Sequence, residues 1–503
     1  MTTKLDEHRT RESALLKRLG RIGGNIASMF ASDVINRAST FLVYAMVGRY
    51  LGTLAFGQLS VALVMFQSGQ LLAIAGLQTL LTREVAKSKS ETDRYVTNGT
   101  FIVLMFSIVT ILGLWGVVAL VGYSQETSSA ILLLAVSLIP YALGVITDAI
   151  FQAWERMHYI ASGNLIANTV KVGLAFFFLT QGYPLFYVIL AIFIAHTLNL
   201  IIKWYWLLKK IVRPKLSVDI SFSIKLVKDT ATFFAIRGSK AVLNGIDIII
   251  LSKLTGEIEV GLITAAFQIM VPIGLVFQST VLGVFPVMCK NYDGSYKRLR
   301  LIAEQLLEIL LLIVIPTTIG IFFLADSILL LLYGNEDFAA AVPLLQAVVW
   351  ILILRVFTQV LGMSLIASMQ EKKTLQIFLI DSLATILIAP ILIYFFGVFG
   401  AAWASLAVRG VDFIQHYVPV KRMFGGLAMV KVMWKPVVSS ILMSAVLISM
   451  PDQNFVIKIL AGGLTYTVVL IPLTLWEAGS FENLKLMYVQ RWMEETGAFE
   501  KSA

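Results

Sequence analysis

Fourteen apolar stretches, each near or above the roughly 20 residues a helix needs to cross a bilayer, divide this 503-residue chain almost end to end. They run over 25–49, 55–82, 96–122, 129–153, 160–180, 184–207, 229–252, 259–289, 301–324, 341–367, 374–395, 398–420, 431–450 and 453–475. Inside hydrocarbon every peptide N–H and C=O must find its partner within the protein, so segments of this length cross as α-helices. Composition agrees: 58% of residues are apolar and 14% are charged, against about 25% charged in a soluble domain. The chain reads as an all-α polytopic membrane protein. Its N-terminus, MTTKLDEHRTRESALLKRLGRIGG, lacks the apolar core and small-residue cleavage site of a signal peptide, so the first helix is expected to be retained. Cys289 is the only cysteine, which excludes an intramolecular disulfide and any Cys-rich metal site.

Orientation follows from the cations. Of 40 Lys and Arg, 31 fall in the N-terminal tail, the even-numbered loops and the C-terminal tail, and only Arg49, Lys253 and Lys458 fall in odd-numbered loops. The positive-inside rule then puts both termini in the cytoplasm, and the chain is expected in the inner (plasma) membrane. The net charge of +10 reports topology and gives no reason to expect a nucleic-acid partner. Six cations lie inside spans: Arg37, Lys171, Arg237, Lys240, Arg355 and Arg409.

The chain also repeats weakly. Displaced by 204 residues, RYLGTLAFGQLSVA meets KLTGEIEVGLITAA, with Arg49 on Lys253, Gly52 on Gly256 and Gly57 on Gly261. FQAWERMHY at the end of the fourth span pairs with SMQEKKTLQ at the end of the tenth, mainly through Gln152 and Gln370. Spans one and seven start on the same side, so the halves are expected to be parallel repeats, a design that places substrate between two lobes that rock. The expected organisation is a cytoplasmic tail (1–24), a six-helix lobe (25–207), a linker (208–228), a second, pseudo-symmetric six-helix lobe (229–420), two C-terminal helices (421–475) and a cytoplasmic tail (476–503). The linker holds six cations and Pro214, which a helix cannot run through. Within it Ile220, Ile224 and Val227 recur opposite Lys225 and Lys228, the pattern of a short interfacial helix. Segments around Leu15, Leu16, Leu19 and Ile22, and around Phe481, Leu484, Tyr488 and Trp492, read the same way.

A charge at mid-bilayer costs several kcal/mol unless something compensates it. Asp33 and Arg37 are four apart and Arg409 and Asp412 three apart, so each pair can neutralise itself on one helix face. Lys171, Arg237, Lys240 and Arg355 have no acid within four positions on their own helix. Their partners are either Asp148, Asp247 and Asp381 on other helices, in a structural network, or an anionic substrate in a water-filled cavity. A guanidinium fork favours phosphate, so a cationic cavity points to an acidic or phosphorylated cargo.

Four segments carry a family resemblance. SDVINRASTFLVYAMVGRYLGTLAFGQLS, GLQTLLTREVAK, LLYGNEDFAAAVPLLQAVVW and VFGAAWASLAVRGVDF are similar to the opening helix, the second-helix end, the ninth-to-tenth connection and the twelfth helix of the polysaccharide transporter family of the multidrug/oligosaccharidyl-lipid/polysaccharide flippase superfamily. The resemblance covers spans one to twelve. It implies a flippase that moves a polyprenyl-diphosphate-linked glycan from the cytoplasmic to the outer leaflet by alternating access, with no cofactor, coupled to H+ or Na+, in contact with membrane lipids and alongside a polysaccharide polymerase and a chain-length regulator. Arg37, Lys171, Arg237, Lys240, Arg355 and Arg409 would then contact the diphosphate or acidic sugars, and Asp33, Asp148, Asp247, Asp381 and Asp412 would couple or balance charge. A lipid II flippase and a drug or cation antiporter of the same superfamily are the alternatives. An enzyme is disfavoured by the absence of a catalytic or metal constellation and by a longest external loop reaching only from about 325 to 340.

Other polar candidates have ordinary readings beside the functional one. His196 would be a proton site or a structural hydrogen-bonding group, and Asn164, Asn168, Asn199 and Asn244 would bind sugar hydroxyls or join helices. Trp350 and Trp403 would stack on sugar rings or simply pack. Pro140, Pro272, Pro286, Pro316 and Pro390 are candidate kinks. Replacing Arg37 or Arg237 by alanine is expected to lower transport roughly tenfold, the scale of one charged hydrogen bond, with normal accumulation in the membrane; unchanged transport by both variants would reduce these residues to helix packing.

Overall fold

A computed structural model describes residues 2–478 apart from 216, 244, 291, 293–295 and 452, and their side chains apart from 2–22, 26, 232–243 and 478. No strand occurs among the described residues. The chain forms two compact units, residues 1–252 and 253–503.

The first unit contains α1 (Thr2–Ile74), α2 (Leu77–Lys87), α3 (Thr92–Val121), α4 (Gln125–Val136), α5 (Leu138–Ala153), α6 (His158–Thr180), α7 (Leu185–Lys210), α8 (Ile220–Leu243) and most of α9 (Ile246–Leu254). The second contains α10 (Glu257–Lys290), α11 (Tyr296–Tyr333), α12 (Val342–Val348), α13 (Ile351–Ala367), α14 (Glu371–Phe424), α15 (Met429–Ile448) and α16 (Phe455–Ala478). Ten described helices are long and apolar enough to cross a membrane, and the bent pair ending in α13 makes eleven. Two of the ten, over Gly23–Lys87 and Glu371–Phe424, are far longer than one crossing needs. Non-helical glycines break them: Gly52 (φ 78°, ψ −171°) and Gly397 (φ 57°, ψ −135°). Cut there, and with α8 and α9 counted as one span broken at Gly245, the helices accommodate the fourteen-span layout.

Several boundaries depart from the sequence reading. The second span breaks at Ala75 and Gly76, both with positive φ, and the fourth is split at Ser137, three residues before Pro140. Proline lacks the N–H that would bond four residues back, whereas Pro272, Pro286, Pro316 and Pro390 remain inside α10, α11 and α14. The supposed loop at 325–340 is mostly helix, because α11 runs to Tyr333 and a 3-10 turn covers Glu336–Ala341. Ile220, Ile224 and Val227 lie exposed on α8, which continues without interruption to Leu243, so this segment is the first part of a long helix and not a separate short one. The interfacial residues proposed at the two tails lie outside the described side chains.

The inter-lobe linker is docked on the first unit. Asp219 caps α8 by accepting the Phe222 N–H at 3.0 Å and pairs with Arg94 of α3 at 2.7 Å. The Phe222 N–H first, and Arg94 with it, hold its carboxyl below the usual range. Asn98 accepts from the Asp219 N–H and from Ser223, both at 2.9 Å. Leu226 of α8 is buried in a core with Leu77 and Leu81 of α2, Val103 of α3 and Ile146 of α5. Thus α8 packs with the first unit, and the units divide one span later than the linker.

In the second unit, Lys435 of α15 has 1% of its side chain exposed and pairs with Glu308 of α11 at 2.5 Å and Glu477 of α16 at 2.8 Å. The Tyr466 hydroxyl of α16 donates to the Leu312 carbonyl of α11 at 2.7 Å. These bonds fasten the two C-terminal helices to α11, and they place Lys435, read from sequence as a loop cation, inside the protein.

The repeat is visible in the backbone of each unit. Gly52 and Gly256, 204 apart, both have positive φ, at 78° and 111°. Farther along, α5 and α13 end identically: the N–H groups of Trp154, Glu155 and Arg156 bond to the carbonyls of Ile150, Gln152 and Phe151, as those of Ser368, Met369 and Gln370 bond to Ser364, Ile366 and Leu365. Glu155 and Met369 are the left-handed residues of these caps. Their separation is 214 residues, not the 218 implied by pairing Gln152 with Gln370; that pairing was one helical turn out. The ends of α7 and α14 share the 214 separation, through paired bonds to Leu207 and Lys421. Gly52→Ala is expected to cost about 1–3 kcal/mol, because φ and ψ there are essentially glycine-only, whereas Gly113→Ala in α3, with open space around its Cβ position, is expected to be neutral or slightly stabilising. Thermal unfolding of the purified variants in detergent checks both.

Candidate functional site: a polar cavity in the first unit

Polar residues at helical spacing on three helices converge in the first unit. Asn164, Asn168 and Lys171 share one face of α6, His196, Asn199 and Lys203 one face of α7, and Ser32, Asn36 and Ser39 one face of α1. Asp148 comes from α5. All but Ser32 and Ser39 line a cavity of about 310 Å³ that reaches Gln67 and Gln70.

Lys203 organises one wall. Its ammonium group, on a side chain 2% exposed, lies 2.8 Å and 3.0 Å from the two carboxylate oxygens of Asp148 and donates to Asn164 Oδ1 at 3.0 Å. Asn199 donates to the same Asn164 oxygen at 2.9 Å, and Asn164 Nδ2 donates to Ser32 at 2.6 Å. Asn168 donates to Asn36 at 2.7 Å and accepts from Ser39 at 2.5 Å. Gly163 makes room for this wall: a Cβ there would lie 3.0 Å from Asn199 Oδ1 and 3.2 Å from Lys203 Cε. Lys171 lines the same cavity but makes no hydrogen bond or ion pair with a described residue. His196 sits between the rings of Phe66 and Tyr141, at centroid distances of 5.4 and 5.3 Å.

The other sequence candidates are elsewhere. Asp33 and Arg37 pair at 3.0 Å on a well-exposed part of α1 and do not line this cavity. Arg237, Lys240 and Asn244 lie outside the described side chains, and Asp247 stands in the first turn of α9. In the second unit Arg355 packs over Gly274, where a Cβ would meet its guanidinium at 2.8 Å. Asp412, buried on α14, pairs with His416 at 2.9 Å and Arg409 at 3.4 Å. Asp381 accepts from Gln415 at 2.8 Å. Trp350 and Trp403 pack edge-on or tilted against Phe322 and Phe396 of the same unit.

Two residues were missed by sequence reasoning. Lys203, near the end of the sixth span, is not among the six cations singled out inside spans, although its spacing of seven from His196 is the signal that puts it on the cavity face. His416 had been passed over, four residues from Asp412. Asp148 therefore finds its described partner in Lys203, a cation outside the group of four unmatched ones. At the 214 separation the second unit has Gly362 for Asp148, Phe378 for Asn164, Phe413 for Asn199 and Tyr417 for Lys203. Phe413 stacks on Tyr417 with centroids 5.5 Å apart, so aromatic packing stands where the first unit has its polar network.

Residues 22–292 match the family described as polysaccharide biosynthesis protein, more than half the chain. The chain belongs to that family. Residues 240–391 also match the MatE family, and no curated protein matches the chain. Among solved structures it is similar to the lipid II flippase MurJ in an inward closed conformation, with TM-score 0.70 and 18% identity over 88% of this chain and 98% of that one. It is also similar to an inward-facing multidrug resistance MATE family transporter of the MOP superfamily, with TM-score 0.62, 13% identity and coverage of 78% and 98%. A MOP superfamily transporter from Pyrococcus furiosus, described as having a binding pocket of reverse polarity, gives TM-score 0.54, 12% identity and coverage of 79% and 94%. The chain thus shares its multi-span helical fold with these structures.

Removing one member of the buried Lys203–Asp148 pair leaves the other charge uncompensated. Lys203→Met or Asp148→Leu alone is expected to cost about 3–5 kcal/mol, and the double variant less than either, as read by thermal unfolding; additive losses would mean that the pair is not coupled.

Proposed function

We propose that the protein is a flippase for a polyprenyl-diphosphate-linked oligosaccharide, the repeat unit of a surface polysaccharide, carried from the cytoplasmic to the outer leaflet with both termini cytoplasmic. Membership of the polysaccharide biosynthesis family supports the cargo class, and Lys171, a cation facing a polar cavity without a carboxylate partner among the described residues, carries the chemical reading. The cavity is at the small end of the 300–1,000 Å³ typical of small-molecule sites. It accommodates a phosphate or one polar group of the headgroup, and the rest of the glycan passes outside it. Asn36, Asn168 and Asn199 supply amide groups for sugar or phosphate oxygens, while Lys203 is already neutralised by Asp148.

Proton or sodium coupling belongs with the titratable cluster of Asp381, Asp412 and His416. A polymerase and a chain-length regulator would act on the flipped product. The resemblance to the lipid II flippase fold, at TM-score 0.70, favours lipid II as the second reading.

Depletion of the protein decides between cargoes. Loss of one surface glycan, with its lipid-linked unit retained on the cytoplasmic leaflet, is the expected result; arrest of peptidoglycan synthesis would replace it with the lipid II reading, and intact glycans with altered tolerance to organic cations would overturn both. Lys171→Ala is expected to lower flipping about tenfold, the value of one charge-assisted hydrogen bond, at unchanged membrane abundance.

A further inference from the structure

The second unit holds a larger groove of different character. It measures about 690 Å³ and runs between the two halves of α14, closed at one end by Tyr296 of α11. Lys373 and Arg422 stand at that end, both exposed, and neither side chain makes an ion pair or hydrogen bond with a described residue. Ile380 and Ile414 line the groove farther along and are 50% and 58% exposed. Seven or eight residues of helix separate the cations from these isoleucines, about 10–12 Å at 1.5 Å per residue.

Two further features bear on the occupant. No carboxylate lines the groove. Glu371 starts the same helix but is not among the lining residues, and Asp381 is held by Gln415 Nε2 beyond the lining. Gln370 Oε1 and Gln415 Oε1 are buried acceptors with no donor among the described residues, and both side chains line the groove. One end therefore offers two cations unpaired among the described residues and acceptor oxygens, and the other offers open aliphatic surface at a separation that reaches past a headgroup phosphate and ester into an acyl chain.

We propose that this groove binds an anionic glycerophospholipid of the surrounding membrane. The phosphate lies between Lys373 and Arg422, a headgroup hydroxyl donates to the glutamine oxygens, and one acyl chain lies along Ile377, Ile380, Ile414 and Val418. A free anion would leave the isoleucines uncovered, and a neutral glycan would leave both cations unmatched; basic pockets between spans are a general mode of acidic-lipid recognition. The site is separate from the cavity of the first unit, and the inference does not depend on which cargo is flipped.

The test uses the full chain purified in detergent, titrated with phosphatidylglycerol, phosphatidylethanolamine or inorganic phosphate, with binding read by native mass spectrometry and by the shift in thermal midpoint. Phosphatidylglycerol is expected to bind more tightly than phosphatidylethanolamine. The double variant Lys373→Gln/Arg422→Gln is expected to lose roughly 30-fold in affinity, from two interfacial cations, while keeping the lipid-free midpoint of the wild type. Lys209→Gln/Lys210→Gln, at exposed cations on the end of α7, is expected to bind as the wild type does. Equal loss in that control would reduce the effect to general surface charge. Inorganic phosphate binding as tightly as the lipid would make this a free-anion site, and the lack of any preference for phosphatidylglycerol would remove the anion altogether; each of these results overturns the proposal.

Discussion

Hydrocarbon offers no hydrogen bonds, so every peptide group and every charge placed in it must be satisfied by the protein itself. That requirement explains why the described chain is helical throughout, and why its long helices break at residues such as Gly52 and Gly397, whose backbone angles other residues avoid. It also explains the buried ion pairs. Lys203 with Asp148 in the first unit and Lys435 with Glu308 and Glu477 in the second tie together helices that dispersion forces alone would hold less specifically, since lipid tails pack against a helix as well as another helix does.

Against this background the unpaired groups carry the functional information. Lys203 and Lys171 line one cavity, yet among the described residues a carboxylate pairs with Lys203 and none with Lys171. The first is part of the scaffold, and the reading of the second as a ligand contact belongs to the proposed function. The same distinction separates Asp412, which is engaged by His416 and Arg409, from the groove cations Lys373 and Arg422. A list of charged residues inside spans, taken without their partners, merges these classes.

The two units also show how a repeated backbone diverges in chemistry. Helix ends at Glu155 and Met369 carry the same hydrogen bonds, so the scaffold was duplicated down to its caps. The side chains that face inward were not: Asn199 and Lys203 correspond to Phe413 and Tyr417. The first unit keeps a polar cavity there and the second has aromatic rings at the corresponding positions.

Much of the architecture was legible in the sequence because it depends on quantities that add along the chain. Hydropathy summed over about 20 residues marks a span, cation counts in successive loops give an expected orientation, and the match of Gly52 with Gly256 carries a backbone conformation that few other residues adopt. The polar faces of α6 and α7 could likewise be read from their spacing. Partner choice could not. Whether Asp148 meets Lys171 or Lys203 depends on how α5, α6 and α7 rotate and approach, and Gly163 decides that approach by letting Lys203 lie against α6. Periodicity along each helix placed the charges on particular faces, but which of them neutralise one another is set by packing between helices to within an ångström, a quantity that no single helix carries.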